Sequence, residues 1–485
     1  MITYPVRVLP MDRTLSVAAG TSLLQALQQA GLHTDAPCGG QGTCGKCKVL
    51  VEGAEVLACR TTVERPITVI LPQVADCSIL TEGLSVQTQP DTLHDYILAF
   101  DIGTTTVVCY LLNGHTGARL AQESCLNPQT QYGADVITRL QYALQHPDHA
   151  LQRALLEAMS QLTEAVAKQT HIRPDQITLA CVVGNTAMHH LLLGIDPKPL
   201  TTPPYMPKVS DAVEIPAKEY LPISENGILR ILPNIAGFVG ADTVGCLVAT
   251  RFDKLDKLTL LIDIGTNGEM VLGDKNGYLA CSTAAGPAFE GAKISCGMRG
   301  VEGAVDHIQA SGDSLRYHTI GEANPVGLCG SGLLDLVAVL LDKEEILESG
   351  RMPCKQYRLE DTPVVLTQQD VREVQLAKGA IAAGITLMCE QLGKNINQID
   401  AVLLAGAFGN YLDPKSACRI GLLPACLESK IRPIGNAAGV GAMLCAVSQA
   451  EFEYSQQLAQ KAQFLELASL PQFQENYIEC LNFPE

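Results

Sequence analysis

The sequence predicts a multidomain α/β protein, in which a small β-rich N-terminal module precedes a larger domain of two lobes. Three observations predict this fold class. Four cysteines cluster between residues 38 and 59 of a chain of 485 residues. Two segments, 97–112 and 258–274, share the tetrapeptide Asp-Ile-Gly-Thr and the same order of apolar strand, glycine turn and apolar strand. A chain of this length also favours two or three domains over one.

Composition and charge narrow the class of protein. A hydrophobic fraction of 47%, 42 glycines and only 18% charged residues are typical of a compact α/β protein and not of a disordered chain. The formal charge of −17 repels nucleic acid and anionic membrane surfaces. The chain has no tryptophan, and its aromatic content of 5% offers few platforms for stacking bases. We therefore expect neither nucleic acid nor a membrane as partner.

The N-terminal sequence predicts a cytoplasmic protein. It has no basic segment followed by an apolar run and a cleavage site, and no apolar stretch of the chain approaches spanning length. Because cytosolic disulfides are rare, the 18 cysteines are interpreted as thiols or metal ligands. Outside the N-terminal cluster, most of them are expected to be buried structural thiols.

The first 73 residues carry the pattern of a β-grasp domain. The predicted elements are strands at residues 3–8, 13–17, 48–51 and 67–71 and a helix between Gly20 and Gly31. Ser22 and Gln25 fit a capping box at the start of that helix, and Gly31 is placed to end it. This element order predicts a ferredoxin domain of the β-grasp type over residues 1–73. The polar stretch 74–96, with Gly83 and Pro90, is interpreted as a linker.

The remainder, residues 97–485, is predicted to form the two-lobed domain. Apolar strands, glycine turns and long amphipathic helices such as 371–392 alternate there. The repeated tetrapeptide alone is weak evidence. Because each copy lies between two apolar strands, the pair predicts a duplicated β-hairpin, with one copy in each lobe.

The cysteine cluster predicts an iron-sulfur centre. Cys38, Cys44, Cys47 and Cys59 are separated by five, two and eleven residues, and glycines fill the loop between them. Such a loop can wrap a cluster closely and direct backbone amides at its sulfurs. A 2Fe-2S cluster is favoured. The alternative is a structural zinc site, which usually shows two CxxC pairs, whereas this loop has one.

The two hairpins predict a nucleotide site. Asp101 and Asp263, each at a strand end, are candidates to hold Mg²⁺, and Gly103 and Gly265 let the backbone approach phosphate. The predicted donors to phosphoryl oxygens are Thr104, Thr105, Thr106, Thr266, Asn267 and Gly268. Glu269 follows the second turn and either orients a water molecule or is a solvated hairpin residue.

Further glycine-rich segments are expected to line the same cleft. Residues 401–414 look like the adenosine-binding turn of actin-like ATPases, and a helix of small residues from 435 would allow the lobes to pack closely. The candidate nucleotide-binding residues outside the hairpins are Asp242, Gly330, Ser331, Gly406, Gly409 and Asn410. Asp242 could alternatively be a helix N-cap. The neighbours His189 and His190 are interpreted as packed or surface histidines.

Taken together, these motifs give a specific resemblance. The chain resembles the reductive activators of corrinoid proteins over nearly all of its length. The matching strings are APCGGQGTCGKC, DIGTTTV, NPQTQYGADVITRL, GNTAMHHLLLG, LPNIAGFVGADTVG, LIDIGTNGE, CSTAAGPAFEGA, CGSGLLD, QLAKGAIAAGI, LLAGAFGNYLDP and GNAAGVGA. Longer members of that family carry a middle domain between their ferredoxin and ATPase parts, whereas only residues 72–96 intervene here.

The resemblance implies a repair reaction and a set of partners. Its members have an actin-like ATPase domain of the ribonuclease H-like class and pass one electron from a 2Fe-2S cluster to inactive cobalt(II) corrinoid, which returns to cobalt(I) for methyl transfer. The implied cofactors are the cluster, ATP and Mg²⁺. The implied partners are a corrinoid protein of a methyltransferase system, an external low-potential electron donor and a second copy of the chain in a homodimer.

Three alternatives stay open at the level of sequence. The chain could be an ATP-driven electron donor to another low-potential metalloenzyme, such as a radical dehydratase. It could be a kinase-like phosphotransferase fused to a ferredoxin, which would need a catalytic aspartate in an acceptor pocket. It could also be an ATP-gated redox sensor with no enzymatic activity.

Overall fold

The computed structural model describes residues 2–485, with the exception of residues 33, 35, 37, 43, 73–81, 87 and 313. Within these residues, one small and two large β-sheets form the framework of the chain, and two further small sheets lie in the C-terminal half. This architecture is the predicted fold class of a β-grasp module followed by a two-lobed α/β domain.

The N-terminal module is a five-stranded sheet packed on one helix. Its elements are β1 (Thr3–Leu9), β2 (Arg13–Ala18), α1 (Leu23–Gln29), β3 (Lys48–Val51), β4 (Ala54–Leu57) and β5 (Ile67–Ile70). The strand order is β2-β1-β5-β3-β4, with β1 and β5 parallel. The Ser22 side chain accepts from the Gln25 backbone N–H at 3.2 Å, as the sequence predicts for the start of α1. Leu23, Leu24 and Leu27 of α1 are buried in the core of the module.

The predicted linker lies partly outside the described residues. From residue 82 onward the chain is attached to the large domain: Glu82 O accepts from the Asn436 N–H at 2.7 Å, and Asp91 accepts from the Gln449 N–H at 2.6 Å. Leu84 and Val86 pack against the apolar core behind the first lobe. The described part of this segment is therefore fixed to the surface that it crosses.

The first lobe is built on a six-stranded sheet of order β10-β11-β9-β6-β7-β8. Its strands are β6 (Tyr96–Ile102), β7 (Thr106–Asn113), β8 (Arg119–Leu126), β9 (Ile177–Gly184), β10 (Val213–Pro216) and β11 (Ile228–Ile231), and its helices are α2 (Val136–Gln145), α3 (Ala150–Thr170), α4 (Thr186–Leu192) and α5 (Ala241–Thr250). The antiparallel pair β6 and β7 is the first predicted hairpin, and β9 extends the sheet in parallel beside β6.

The second lobe repeats this arrangement with a sheet of order β21-β20-β12-β13-β14-β22. The strands of that sheet are β12 (Thr259–Ile264), β13 (Gly268–Asp274), β14 (Gly277–Thr283), β20 (Ala401–Ala405), β21 (Ile431–Gly435) and β22 (Gln463–Phe464). The shorter strands beside it are β15 (Ala304–Ser311), β16 (Ser314–Thr319), β17 (Gly327–Leu328), β18 (Gln356–Arg358) and β19 (Val365–Thr367). The antiparallel pair β12 and β13 is the second predicted hairpin, and β20 lies parallel beside β12.

Seven helices of the second half complete the described fold. They are α6 (Gly330–Asp342), α7 (Gln368–Gln391), α8 (Gly406–Tyr411), α9 (Pro414–Arg419), α10 (Ala437–Val447), α11 (Gln449–Lys461) and α12 (Phe473–Glu479). The helix predicted at 371–392 starts earlier, because Thr367 and Asp370 form a capping box at its N-terminus.

The two lobes meet through small residues. This contact agrees with the prediction that a helix of small residues from 435 allows the lobes to pack closely. Helix α10 packs against α5, and a Cβ atom at Gly441 would lie 2.1 Å from the Gly245 carbonyl oxygen. Because no side chain fits there, the two backbones approach closely and hold the lobes together at the base of the cleft. Among the described residues, no helix is both long and apolar enough to cross a membrane.

Candidate functional site

Four thiols gather in the loop between α1 and β3 and in the turn after β4. The Cys44 Sγ atom lies 3.2 Å from that of Cys38, and the Cys47 Sγ atom lies 3.2 Å from that of Cys59. The donors therefore form two pairs. Two pairs of thiolates are what a cluster of two irons requires, since each iron takes two protein ligands.

The loop around these thiols fits an iron-sulfur cluster. Gly39, Gly40, Gly42 and Gly45 all have positive φ angles, between 60° and 86°. A Cβ atom at Gly42 would lie 2.7 Å from Nε of Arg60. Burial raises the pKa of the Cys59 thiol to about 11. A thiol with a raised pKa is neutral unless a metal replaces the proton, so the donor set favours metal ligation over free thiolates.

The second candidate centre is a cavity of about 500 Å³ between the two lobes. Both predicted hairpins line it. From the first hairpin come Asp101, Gly103, Thr104, Thr105 and Thr106, and from the second come Asp263, Gly265, Thr266, Asn267 and Glu269. The sequence therefore predicted which residues of the two hairpins face each other, although they are separated by more than 150 positions.

A glycine N–H closes each hairpin turn, by donating to a carbonyl three residues later in the first hairpin and two residues later in the second. The Gly103 N–H donates to the Thr106 carbonyl at 2.8 Å, and the Gly265 N–H donates to the Asn267 carbonyl at 2.9 Å. These turns present hydroxyl and amide groups at the mouth of each strand pair, where a phosphate chain can accept hydrogen bonds. The duplicated motif thus forms a two-sided set of donors.

Three aspartates lie on the walls of the cavity. Burial raises the pKa of Asp101 to about 6, and burial together with the neighbouring carboxylates raises the pKa of Asp242 and of Asp263 to about 7. Each side chain keeps some exposed surface within the cleft, but protein surrounds the cleft on most sides. A divalent cation would offset this repulsion, so the group fits Mg²⁺.

Glu269 lies beside Asp263 in the antiparallel register of β12 and β13. Burial and the charges of Asp242 and Asp263 raise its pKa well above the usual range. It lines the cavity and is not the solvated hairpin residue that the sequence left as an alternative. Asp242 also lines the cavity, and the N-cap of α5 is Gly240, so the N-cap alternative for Asp242 is wrong.

Two asparagines complete the polar walls, and sequence reasoning did not single them out. Asn436 Nδ2 donates to Asp101 Oδ2 at 2.8 Å, and Asn185 Nδ2 donates to Thr104 Oγ1 at 3.0 Å. Each asparagine also caps a helix, α10 and α4 respectively. Both asparagines directly follow a strand that ends in glycine. An asparagine in that position is a typical helix N-cap, and this pattern could have indicated them.

Several helices direct their N-termini at the cavity. Its lining includes Asp242 in the first turn of α5, Gly330 and Ser331 at the start of α6, and Ala438 at the start of α10. The unsatisfied N–H groups and the macrodipole at a helix N-terminus favour bound anions. The cleft therefore combines acidic side chains for a cation with positive backbone ends for phosphate.

The turn from β20 into α8 forms another wall. Gly406 has a φ of 79°, and a Cβ atom there would lie 2.6 Å from Asp263 Oδ1. Glycine is therefore required where this turn passes the aspartate. Beyond it, the Phe408 and Phe289 rings are stacked with centroids 5.0 Å apart, and Gly330 packs against Phe408. The flat apolar wall beside Gly406 suits a nucleoside base.

Three of the predicted nucleotide-binding residues do not line this cavity. They are Gly268, Gly409 and Asn410. Gly268 is buried in β13, where a Cβ atom would lie 2.8 Å from the Thr283 hydroxyl, and Gly409 packs against Leu404 of β20. These glycines allow close packing behind the site, and Asn410 lies on α8 outside the lining.

Three charged residues of the cavity, Glu290, Arg299 and Asp306, were missed at the level of sequence. Glu290 accepts hydrogen bonds from the Thr105 hydroxyl at 3.1 Å and from the Thr266 hydroxyl at 2.9 Å. Arg299 lines the cavity near Met298 and Gly300. Glu290 lies in the glycine-rich string CSTAAGPAFEGA, but a single glutamate in such a turn gave no signal of its own.

The histidines that drew attention in the sequence are packed groups. His189 and His190 are both buried, and neither lines the cavity. His190 Nδ1 contacts the Thr186 carbonyl at 2.8 Å, and its Nε2 accepts from the Lys208 N–H at 3.0 Å. Burial lowers the pKa of His189 to about 4, so this imidazole is neutral at physiological pH.

Known families match most of the chain. A profile for a 2Fe-2S iron-sulfur cluster binding domain matches residues 6–66. A profile described as the RACo middle region matches residues 96–255, and one described as the C-terminal domain of RACo, the ASKHA domain, matches residues 257–485. The region described as the middle of these proteins therefore corresponds to the first lobe of the cleft.

Individual relatives agree with these profiles. A corrinoid activation enzyme of Eubacterium limosum, RamQ, is 37% identical over 79% of this chain and 69% of its own length. A methylated amine-specific Co(II) corrinoid protein reductase of Methanosarcina barkeri is 30% identical over 47% of this chain and 46% of its own length. A solved reductive activator for a corrinoid iron-sulfur protein is 29% identical, covers 99% of this chain and 98% of its own, and superposes with a TM-score of 0.75.

Proposed function

Because this chain belongs to the family of corrinoid activation enzymes, we propose that it uses ATP to drive the reduction of a cobalt(II) corrinoid protein to the cobalt(I) state. One observation carries this proposal. The four-cysteine loop and the two-sided phosphate site are parts of one chain, and the loop rests on the lobe that carries the first phosphate hairpin. A Cβ atom at Gly39, next to Cys38, would lie 2.9 Å from the Tyr132 carbonyl of that lobe.

The N-terminal module supplies the electron. Cys38 and Cys44 would hold one iron and Cys47 and Cys59 the other, which supports a 2Fe-2S cluster over a zinc site. Such a cluster takes up and releases one electron at a time. Backbone groups of Lys46 and Cys38 hydrogen-bond to the Cys44 sulfur, and Arg60 closes the loop by donating to the Gly42 carbonyl at 2.7 Å. An external low-potential donor would have to reload this centre.

The cleft binds the nucleotide. We assign the phosphate chain to the threonines of the two hairpins and the base to the wall beside Gly406 and Phe408. Asp101, Asp242 and Asp263 are the residues that would hold Mg²⁺, which neutralises phosphate charge. Glu269 is the carboxylate placed to orient the water that attacks the terminal phosphate. Phosphoryl transfer needs mainly positioning and charge neutralisation, which these residues offer.

Coupling the two centres requires that the nucleotide state change the affinity for the partner. Cobalt(II) is the electron acceptor in this reaction. The electron transfer is uphill, because an ordinary 2Fe-2S donor has a higher reduction potential than this acceptor. ATP favours one conformation of the protein, and that conformation binds the cobalt(II) partner more tightly than the cobalt(I) product. Hydrolysis of ATP then reverses the conformational change, so that each cycle shifts the overall equilibrium toward cobalt(I). The proposed units are a ferredoxin domain at 1–73, a linker at 74–96 and an ATPase domain at 97–485, working as a homodimer.

The proposal is tested by anaerobic assays with a purified cobalt(II) corrinoid protein. We expect the rate of ATP hydrolysis to rise when the cobalt(II) partner is added, and to fall back when the partner is first converted to its cobalt(I) or methylated form. Phosphorylation of a small-molecule acceptor, with no response to the corrinoid partner, would instead identify a kinase. An ATPase rate that ignores the corrinoid protein and yields only free phosphate would also reject the activator function.

A further inference from the structure

Glu290 joins the two phosphate hairpins across the cleft. Its Oε2 atom accepts from the Thr105 hydroxyl of the first hairpin at 3.1 Å and from the Thr266 hydroxyl of the second at 2.9 Å. Both threonines were predicted as donors to phosphoryl oxygens. A protein carboxylate therefore uses the hydrogen bonds that the proposed function assigns to ATP.

A carboxylate and a terminal phosphate cannot share these donors at low cost. Both are anions, and their repulsion is strong in a cleft from which most water is excluded. Each threonine hydroxyl also has a single hydrogen to donate. Binding of a triphosphate between Thr105 and Thr266 therefore requires Glu290 to leave, whereas a diphosphate that stops short of these hydroxyls does not.

Arg139 is a fully buried cation on helix α2 of the first lobe. Its Nε donates to the Gly133 carbonyl at 2.8 Å, and one Nη atom contacts Met188 Sδ at 3.9 Å. Its other Nη atom is buried and has no hydrogen-bond partner within the described part of the chain. Burial lowers the pKa of Arg139 to about 9, and Glu290 makes the largest opposing contribution among the nearby charges. Arg139 therefore fixes helix α2 to the Gly133 turn.

The segment 127–139 connects these charges to the cysteine module. At its start, Asn127 donates to the Gly103 carbonyl through Nδ2 and to the Thr105 carbonyl through its backbone N–H, both at 2.8 Å. In its middle, the Gln131 carbonyl accepts a hydrogen bond from the Gln28 side chain of α1. At its end, Arg139 holds the Gly133 carbonyl, next to the carbonyl of Tyr132 that touches the cysteine loop.

From this geometry we propose that Glu290 is a nucleotide-sensing positioning residue, which the terminal phosphate of ATP displaces from Thr105 and Thr266. Because Asn127 binds the Gly103 and Thr105 carbonyls, the change at Thr105 reaches segment 127–139 and, through it, the cysteine loop. This inference rests on the proposed function, since it describes how the ATP of that reaction reaches the electron-transfer module. It assigns the discrimination between ATP and ADP to Glu290.

The first test measures nucleotide affinity in the full-length protein. Glu290→Gln keeps the size of the side chain and removes its charge. We expect the Kd for a non-hydrolysable ATP analogue to fall about tenfold, which corresponds to the loss of one unfavourable charge contact of ordinary size, while the Kd for ADP changes less than twofold. Glu428→Gln is the matched control, because Glu428 is an exposed residue of a 3-10 helix in the same lobe. An unchanged ratio of ATP to ADP affinity in Glu290→Gln would overturn the proposal.

The second test follows the connection to the cysteine module. Hydrogen exchange in wild type is expected to change at residues 127–139 and 38–47 when the ATP analogue binds, and to stay as in the free protein with ADP. Gln28→Ala should keep wild-type nucleotide affinities and lose the change at 38–47, whereas Gln29→Ala, an exposed neighbour on α1, should keep it. Arg139→Lys, which retains the charge, should keep the fold and reduce the response at 127–139.

The outcomes separate this inference from the proposed function. If wild type reduces the cobalt(II) partner with ATP but Glu290→Gln discriminates ATP from ADP as wild type does, the Glu290 assignment alone fails. If wild type never reduces the partner, the proposed function fails, and the affinity ratio still decides the role of Glu290. An exchange response in wild type that is equal with ATP analogue and ADP would also contradict the inference.

Discussion

The cysteine module and the interlobe cleft hold their ligands by opposite means. The module places four soft sulfur donors within 22 positions of sequence, between Cys38 and Cys59, on a loop whose shape depends on glycines with positive φ. The cleft is lined by hard oxygen and amide donors from residues that are far apart in sequence, from Asp101 to Asn436. One site is local in sequence, and the other exists only when two lobes are packed.

This difference separates the two chemistries physically. A local loop can keep its metal while the rest of the chain changes conformation, because its ligands do not depend on the lobe arrangement. A cleft built from two lobes changes its donor geometry whenever the lobes move, and is therefore suited to respond to a nucleotide.

Cys44→Ser should remove one of the paired sulfur ligands and abolish electron transfer. We expect the visible absorbance and the EPR signal of the reduced cluster to be lost, while nucleotide affinity stays within about twofold of wild type, because the cleft shares no ligand with the loop. Cys354→Ser, at an exposed cysteine, is the control. An unchanged cluster spectrum in Cys44→Ser would mean that the ligands are other cysteines.

Asp263→Asn should leave the cluster intact and lower ATP-dependent cobalt reduction by at least about a hundredfold, since it removes a charge proposed to hold the cation at the phosphates. Activity with the partner and the iron content are measured on the same sample. Asp400→Asn provides a matched exposed substitution in the same lobe. Full activity of Asp263→Asn would refute the assignment of this carboxylate to Mg²⁺.

The cleft, and not the cysteine loop, should titrate near neutrality. The raised pKa values of Asp101 and Asp263, about 6 and about 7, mean that both carboxyls gain protons as pH falls through this range. Because Mg²⁺ binds the deprotonated forms, its affinity with ATP should fall by about tenfold per pH unit for each proton displaced. Calorimetry in buffers of different ionisation enthalpy measures the proton release, and a pH-independent affinity between 6 and 8 would contradict the assignment.

The change expected to affect catalysis least is a local loss of stability in the cysteine module. Leu24 is buried in its core, and a Cβ atom at Gly40 of the cysteine loop would lie 3.1 Å from Leu24 Cδ2. Leu24→Ala should cost about 2–5 kcal/mol of module stability and speed cluster loss, with the ATPase rate preserved. Leu50→Ala, at a more exposed position on β3, should cost less. Equal loss of both centres in Leu24→Ala would show that the modules unfold as one unit.

The same contrast explains what the sequence could and could not predict. The four cysteines that gather in one loop and the two hairpins that line the cleft could be named, because each is a short run of residues with characteristic spacing. Gly409 was assigned to the nucleotide and instead packs on Leu404, because a glycine that admits a ligand and one that admits a neighbouring side chain look alike in sequence. The contact of Glu290 with Thr105 and Thr266 spans two lobes, and no local pattern encodes it.

The partnership between the cleft and the module is tested most directly by one anaerobic experiment. The reduced protein is mixed with a cobalt(II) corrinoid protein, and the absorbance band of cobalt(I) is followed before and after ATP is added. The account predicts that the band appears to a substantial extent only after ATP is present, and that ADP does not replace it. If the same final amount of cobalt(I) forms in the absence of any nucleotide, the proposed coupling is contradicted.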